Sequence, residues 1–270
     1  MNTVNRSTYG HKEGTSFKGL NPSAAEKLGG IGFSEVVVKR HGFCAKGADS
    51  LEVVDKSSIW EESDNVVFTP DFTQGGEVVL SSDYVASEPI VINNDTTINL
   101  NGNKITAPVF TESNGEVLEG DSDSYGVWVK EGNVVIEGDG EVVAQDAKYS
   151  MAVWANGGNV TIKGGTFSNG GDSCDLIYAS AGGNVVIEGG EFRPSGPASG
   201  TAPGTKNPYT ALNVKDKDYK AGTSSIIVKG GKFYNFNPAN NVSEGENTNF
   251  VAEGYKSVEV EPNVWEVIPE

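Results

Sequence analysis

The sequence predicts an all-β protein: a single-stranded, right-handed parallel β-helix of about five to six coils, with an irregular N-terminal region and a C-terminal capping hairpin. Three observations lead there. Glycine is the outlier, at 35 of 270 residues, or about 13% against a usual level of about 7%. Valine is abundant and leucine scarce, so the chain turns often and favours strands. From Gly132 onward one motif recurs at a nearly constant spacing, which is the sequence signature of a stacked architecture.

Residues 1–75 differ from the rest. They hold both histidines, His11 and His41, and two of the three arginines, Arg6 and Arg40. Residues 1–20 are polar and read as an extended arm. A short helix is expected near 22–28, because Pro22 suits a first helical turn and Gly29-Gly30 suits its end. Residues 35–39 and 51–54 are short strand candidates. Residues 76–270 form the second domain, in which glycine punctuates short strands.

Four segments carry the repeat: Gly132-NVVIEGDGEVV, Gly158-NVTIKGGTFS, Gly183-NVVIEGGEFR and Thr223-SSIIVKGGKFY. Val134 to Val160 is 26 residues, Val160 to Val185 is 25, and Val185 to Ile226 is 41. The long step holds Arg193–Pro208, a glycine- and proline-rich stretch that reads as a protruding loop. Thr97-INLNGNKI is an earlier, more divergent copy. A second strand precedes each copy: Gly126-VWV, Ala152-VWA, Leu176-IYA and Ala211-LNV. A propeller blade needs about 40–45 residues and a leucine-rich repeat needs leucines at fixed offsets, so a β-solenoid coil fits best. Coils spaced by about 4.8 Å give a rod on the order of 25–30 Å long.

Strand alternation assigns the faces. Val134/Ile136, Val160/Ile162, Val185/Ile187 and Ile226/Val228 point inward. Phe167, Phe192 and Phe233 follow the Gly-Gly corner and form an inward aromatic stack. Glu137, Lys163, Glu188 and Lys229 form an outward column of alternating sign, which favours this register. In the preceding strand Trp128, Trp154, Tyr178 and Asn213 face outward. Exposed aromatics on three successive coils suit a subunit interface. Partial burial beneath a loop and a surface for stacking sugar rings are the other readings. Lys256-SVEVEPNVWEVIP reads as a hairpin around Glu261-Pro262-Asn263, with Trp265 placed to cover the last coil.

Composition excludes several functions. Lys+Arg 20 against Asp+Glu 37 gives a net charge of −17, the wrong sign for a nucleic-acid groove or a basic membrane surface. No stretch approaches 18 apolar residues, so no membrane insertion is expected. The N-terminus has no apolar signal region, so the product is expected in the cytoplasm where it is made. Cys44 and Cys174 lie 130 residues apart with no CxxC pair and read as small apolar residues. No metal or cofactor is expected. Asp172 and Asp175 are the best acidic pair for general acid–base work, yet an Asx-rich turn explains them more simply. Asp121-Ser-Asp123-Ser-Tyr125-Gly126 begins like a calcium loop but lacks the later ligands, and reads as a polar turn. Asn237, Asn240, Asn241 and Asn247 read as side chains that satisfy turn backbone. No catalytic residue is assigned.

Residues 149–192, YSMAVWANGGNVTIKGGTFSNGGDSCDLIYASAGGNVVIEGGEF, and the ending Gly230-GKFYNFNPANNVSEGENTNFVAEGYKSVEVEPNVWEVIP resemble pectate-lyase-like right-handed β-helix proteins of bacteriophages. The resemblance is closest to head fiber and other appendage proteins of crAss-like phages. It covers roughly residues 77–270, and FYNFNPANN with NFVAEGYKS is its most specific part. It implies a virion structural protein on the capsid exterior and a homotrimer. It also implies attachment to capsid or other virion proteins through residues 1–75, with contact to host-surface glycans. A polysaccharide-degrading enzyme on the same scaffold, or a secreted bacterial adhesin, is the alternative. The repeat region holds no histidine and no convincing base, which weighs against the enzyme.

Overall fold

The computed structural model describes residues 69–111, 122–170, 175–195 and 210–270, together with four short strands between residues 10 and 54. The chain divides into two units, Met1–Val67 and Phe68–Glu270. In the first, β1(Gly10–Lys12), β2(Glu35–Lys39), β3(Gly42–Lys46) and β4(Leu51–Val54) form an antiparallel sheet in that order. The strands expected at 35–39 and 51–54 are present. Two others correct the sequence reading, since β1 falls in the stretch taken for an arm and β3 in one left unassigned. The helix expected near 22–28 lies outside the described residues.

In the second unit the chain passes through three parallel sheets in rotation. The first sheet holds β5(Gly76–Val79), β8(Thr96–Asn99), β11(Asn133–Glu137), β14(Asn159–Ile162), β17(Asn184–Ile187) and β20(Ser225–Val228). The second holds β6(Tyr84–Val85), β9(Asn103–Thr106), β12(Gly140–Val143), β15(Thr166–Ser168), β18(Glu191–Arg193) and β21(Lys232–Tyr234). The third holds β7(Val91–Ile92), β10(Asp123–Val129), β13(Tyr149–Asn156), β16(Asp175–Ser180) and β19(Thr210–Val214). Each strand lies beside its counterpart from the previous circuit, as the repeat requires.

The register follows the apolar pattern. Ile98, Ile136, Ile162, Ile187 and Val228 are successive partners in the first sheet and all are fully buried. Each such side chain contributes about 1.5–3 kcal/mol on leaving water, and a slip of one residue would turn the whole row outward. Phe167, Phe192 and Phe233 form the expected inner stack, with centroids 5.3 and 4.6 Å apart and interplanar angles of 8° and 12°. The corner before each phenylalanine requires glycine for two reasons. A Cβ at Gly230 would collide with the Glu188 carbonyl oxygen, and Gly231 sits at φ +100°, where side chains are disfavoured.

The asparagine of each Gly-Asn-Val motif has a role that periodicity alone did not disclose. The Nδ2 of Asn159 donates to Asn133 Oδ1 at 3.2 Å, and that of Asn184 to Asn159 Oδ1 at 3.1 Å. Asn133 in turn donates to Asp95 Oδ1 at 3.0 Å, and Ser225 Oγ donates to Asn184 Oδ1 at 2.8 Å. One side-chain ladder therefore runs along five neighbouring turns.

The third sheet departs from simple alternation. Ala152/Val153, Leu176/Ile177 and Ala211/Leu212 are adjacent residues that all join the main core. Gly126 stands in the first of these columns because a Cβ there would meet the Ala152 carbonyl and Val142 Cγ1. After β19 a helix, α1(Asp216–Ala221), precedes β20. It was not expected, although its signals are present: Asp216 and Asp218 in the first turn, Lys220 in the last, and Gly222 closing it at φ +66°. Asp218 is buried and accepts the Ala181 amide at 2.7 Å, so the helix is fastened to the turn of the circuit before it.

The C-terminal hairpin is observed. β22(Tyr255–Glu261) pairs with β23(Val264–Pro269), and β23 extends the second sheet antiparallel to β21. Val267 enters the main core, whereas Trp265, opposite Phe233, is only half-buried. Phe236 and Phe250 also join that core, so residues before the hairpin contribute to it alongside Val267. Asn237 and Asn241 satisfy turn amides as expected, accepting from Ala239 N at 3.0 Å and Ser243 N at 3.1 Å.

Candidate functional site

The outer face of the third sheet gathers most of the residues singled out from sequence. Val127 and Val129 point into the core, so Trp128 points away from it, and the parallel register carries Trp154, Tyr178 and Asn213 into the same column. Trp128 and Trp154 stack with centroids 4.9 Å apart and planes 2° from parallel. Tyr178 continues the column at 6.0 Å and 41°. Lys130 Nζ lies 4.0 Å from the Trp128 ring centroid, close enough for a cation–π contact.

The expected exposure of this column is corrected. Trp154 is 1% and Trp128 8% exposed. Tyr125 meets both indoles edge-on, at 5.7 and 5.1 Å, and Phe110 meets Tyr125 at 5.2 Å. With Met151 these residues make a second apolar cluster outside the main core. The two tryptophans are buried more completely than partial burial beneath a loop would leave them, by Tyr125 and Met151 of their own strands together with Phe110. The half-buried Tyr178 is the member that retains surface. The cover was hidden because Phe110 lies outside the repeated strands and Tyr125 and Met151 precede the short motif that recurs. The indoles also differ: Trp154 Nε1 donates to Ser180 Oγ at 2.9 Å, while buried Trp128 Nε1 has no hydrogen-bond partner among the described residues.

Beyond Tyr178 the face becomes acidic. Asp175 Oδ2 accepts from Asn213 Nδ2 at 2.8 Å. Asp172, its proposed pair, lies outside the described residues, as do Asp121 and Cys174. Glu244, which sequence reasoning missed, reaches across to β19, where its Oε1 accepts the Val214 amide at 2.6 Å. Burial pushes the Glu244 carboxyl up to about 7. The Val214 hydrogen bond opposes this, the charges of Asp216 and Asp175 add to it, and Lys220 opposes it. No local motif marks Glu244, because its partner is 30 residues away. Of the segment read as a calcium-like polar turn, residues 123–126 prove instead to begin the buried strand β10, with Asp123, Ser124 and Tyr125 fully enclosed.

Comparison with known protein families, curated proteins and solved structures found no match. Among the described residues no group of three or more His, Cys, Asp or Glu side chains is arranged to hold a metal, and no helix is long and apolar enough to cross a membrane. On the first sheet Lys163 Nζ lies 3.7 Å from Glu137 Oε2, one contact within the expected column of alternating charge.

Proposed function

We propose that the chain is a structural component of a phage virion, a head fiber or similar appendage on the capsid exterior, made in the bacterial host cytoplasm. In this reading the three sheets wind as a right-handed, single-stranded β-helix of five to six coils, and three copies associate as a homotrimer. Residues 1–75 attach to capsid or other virion proteins. The part beyond them projects and meets host-surface glycans weakly and multivalently. Its work is mechanical and adhesive, not catalytic, and needs no cofactor.

The observation that carries the reading is the parallel register that recurs from Gly76 to Phe233 among the described residues. Backbone hydrogen bonds run along the stacking axis and a dry core fills the interior, which suits a stiff spacer. The resemblance of residues 77–270 to crAss-like phage appendage proteins supplies the biological setting. A net charge of −17 discourages crowded copies from sticking together. Mass spectrometry of gradient-purified particles tests the reading: the chain should copurify with capsid protein at a fixed ratio. Its absence from particles, together with release of reducing ends from polysaccharides by the purified chain, would replace this reading with a depolymerase.

A further inference from the structure

The outer faces of the three sheets differ in what occupies them. On the third, Tyr125, Met151 and Phe110 bury the aromatic column. On the second, charged side chains engage neighbours on the same face. Arg193 lies 3.8 Å from the Tyr234 ring centroid and bonds Glu191 at 2.6 Å, and Lys104 lies 3.9 Å from Glu141. On the first, the register sets three columns side by side. The middle column, Thr97, Val135, Thr161, Val186 and Ile227, is β-branched throughout. Its first four members are half-buried and Ile227 is 40% exposed, so the stripe keeps apolar surface that a partner could bury.

The amide ladder flanks this stripe on one side, and Glu137, Lys163, Glu188 and Lys229 flank it on the other. An asparagine amide offers two N–H donors and two acceptor lone pairs. Asn133 gives one donor to Asp95, and Asn159 gives one donor to Asn133 and one lone pair to Asn184. Among the described residues Asn133 therefore keeps a donor and Asn159 an acceptor. Asn184 gives both donors, to Asn159 and to the Gly182 carbonyl.

We infer that copies of this chain meet through the outer face of the first sheet, side by side, level with one another and with their coils running in the same sense. The inference rests on the reading of the chain as a homotrimeric appendage mounted by one end, and it names the face at which that assembly forms. A rotation axis along the stack brings the β-branched columns together. It also sets the amide column of one copy against the charged column of the next. Asn133 then donates to Glu137 of the next copy, Asn159 accepts from its Lys163, and Ser225 Oγ accepts from its Lys229. Asn184 has no donor left for Glu188, so the polar contact is made at three levels, and at none does a charge face its own kind. Six strands about 4.8 Å apart and five residues of about 3.3 Å give a face on the order of 400 Å² per copy, about half of a standard interface. The contact is therefore weak between free chains and gains from copies held close together on one particle.

Sedimentation of the full chain from micromolar to millimolar concentration tests the face. The chain should associate at the upper end of that range. Val186→Lys and Ile227→Lys put like charges at the centre of the contact and should weaken association about tenfold or more. Thr166→Lys, on the second sheet, should leave it unchanged, and circular dichroism should show all three variants folded. In a background of Cys44→Ala and Cys174→Ala, a short bismaleimide should join Val135→Cys chains to one another, and Ile227→Cys chains likewise. A mixture of the two should give no product linking position 135 to position 227. Chains that stay monomeric at millimolar concentration, folded Val186→Lys and Ile227→Lys variants that associate like the wild type, or linkage of position 135 to position 227 in place of the like pairs would overturn the proposal. Absence of the chain from purified particles would remove the virion reading and leave these results standing.

Discussion

Two aromatic ladders run along this molecule, one inside the three sheets and one outside. Phe167, Phe192 and Phe233 stack within the core, and Trp128, Trp154 and Tyr178 stack on the outer face of the third sheet. Both arise the same way, because parallel in-register strands place equivalent side chains one strand spacing apart. Their difference lies in what covers them. The inner ladder is sealed by the opposite sheets, which the repeat itself supplies. The outer one is sealed by Tyr125, Met151 and Phe110 and loses that cover by Tyr178. Register builds a ladder on either face; burial depends on what is laid over it.

The largest test of the comparison lies in the inner wall. Ile162 is fully buried beside Ile136 and Ile187. Ile162→Asp should abolish folding, because an unpaired charge in that position costs more than a single domain's margin. Circular dichroism and solubility would read the loss directly. Phe192→Ala removes the middle ring, which stacks on both neighbours, and should cost about 3–5 kcal/mol in denaturant unfolding.

The outer ladder should respond less, and unevenly. Trp154→Phe breaks the bond to Ser180 and leaves a cavity, so a loss of about 2–3 kcal/mol is expected. Trp128→Phe gives up an indole N–H that has no partner among the described residues, and should cost about 1 kcal/mol. Equal losses at the two positions would mean that the Ser180 bond contributes nothing. The asparagine ladder is exposed, so Asn159→Ala, which cuts two of its bonds, should cost only about 1 kcal/mol.

How much of this was legible follows from the same contrast. The inner row from Ile136 to Val228, the phenylalanine stack and the sheet register could be read from sequence, because each is a property of period and alternation. The covering of Trp154 could not, since Phe110 lies outside the repeated strands and Tyr125 and Met151 precede the short motif that recurs. Glu244 was invisible for a related reason: a carboxylate becomes unusual only when folding buries it and, to a lesser degree, sets it in the field of Asp216 and Asp175. The helix after β19 was overlooked although Asp216, Asp218 and Gly222 signal it, because a six-residue element falls below the length at which helical periodicity is visible. Asn133, Asn159 and Asn184 were seen to recur, but recurrence alone did not distinguish a turn residue from a rung of a ladder.

Electron cryomicroscopy of particles made with the full chain, compared with particles made with a chain lacking residues 1–75, tests the central proposal most directly. The full chain should appear as a short rod projecting from the capsid. The truncated chain should remain soluble and β-rich while the rod is missing from every particle. Rods still present on particles carrying the truncated chain would contradict the account.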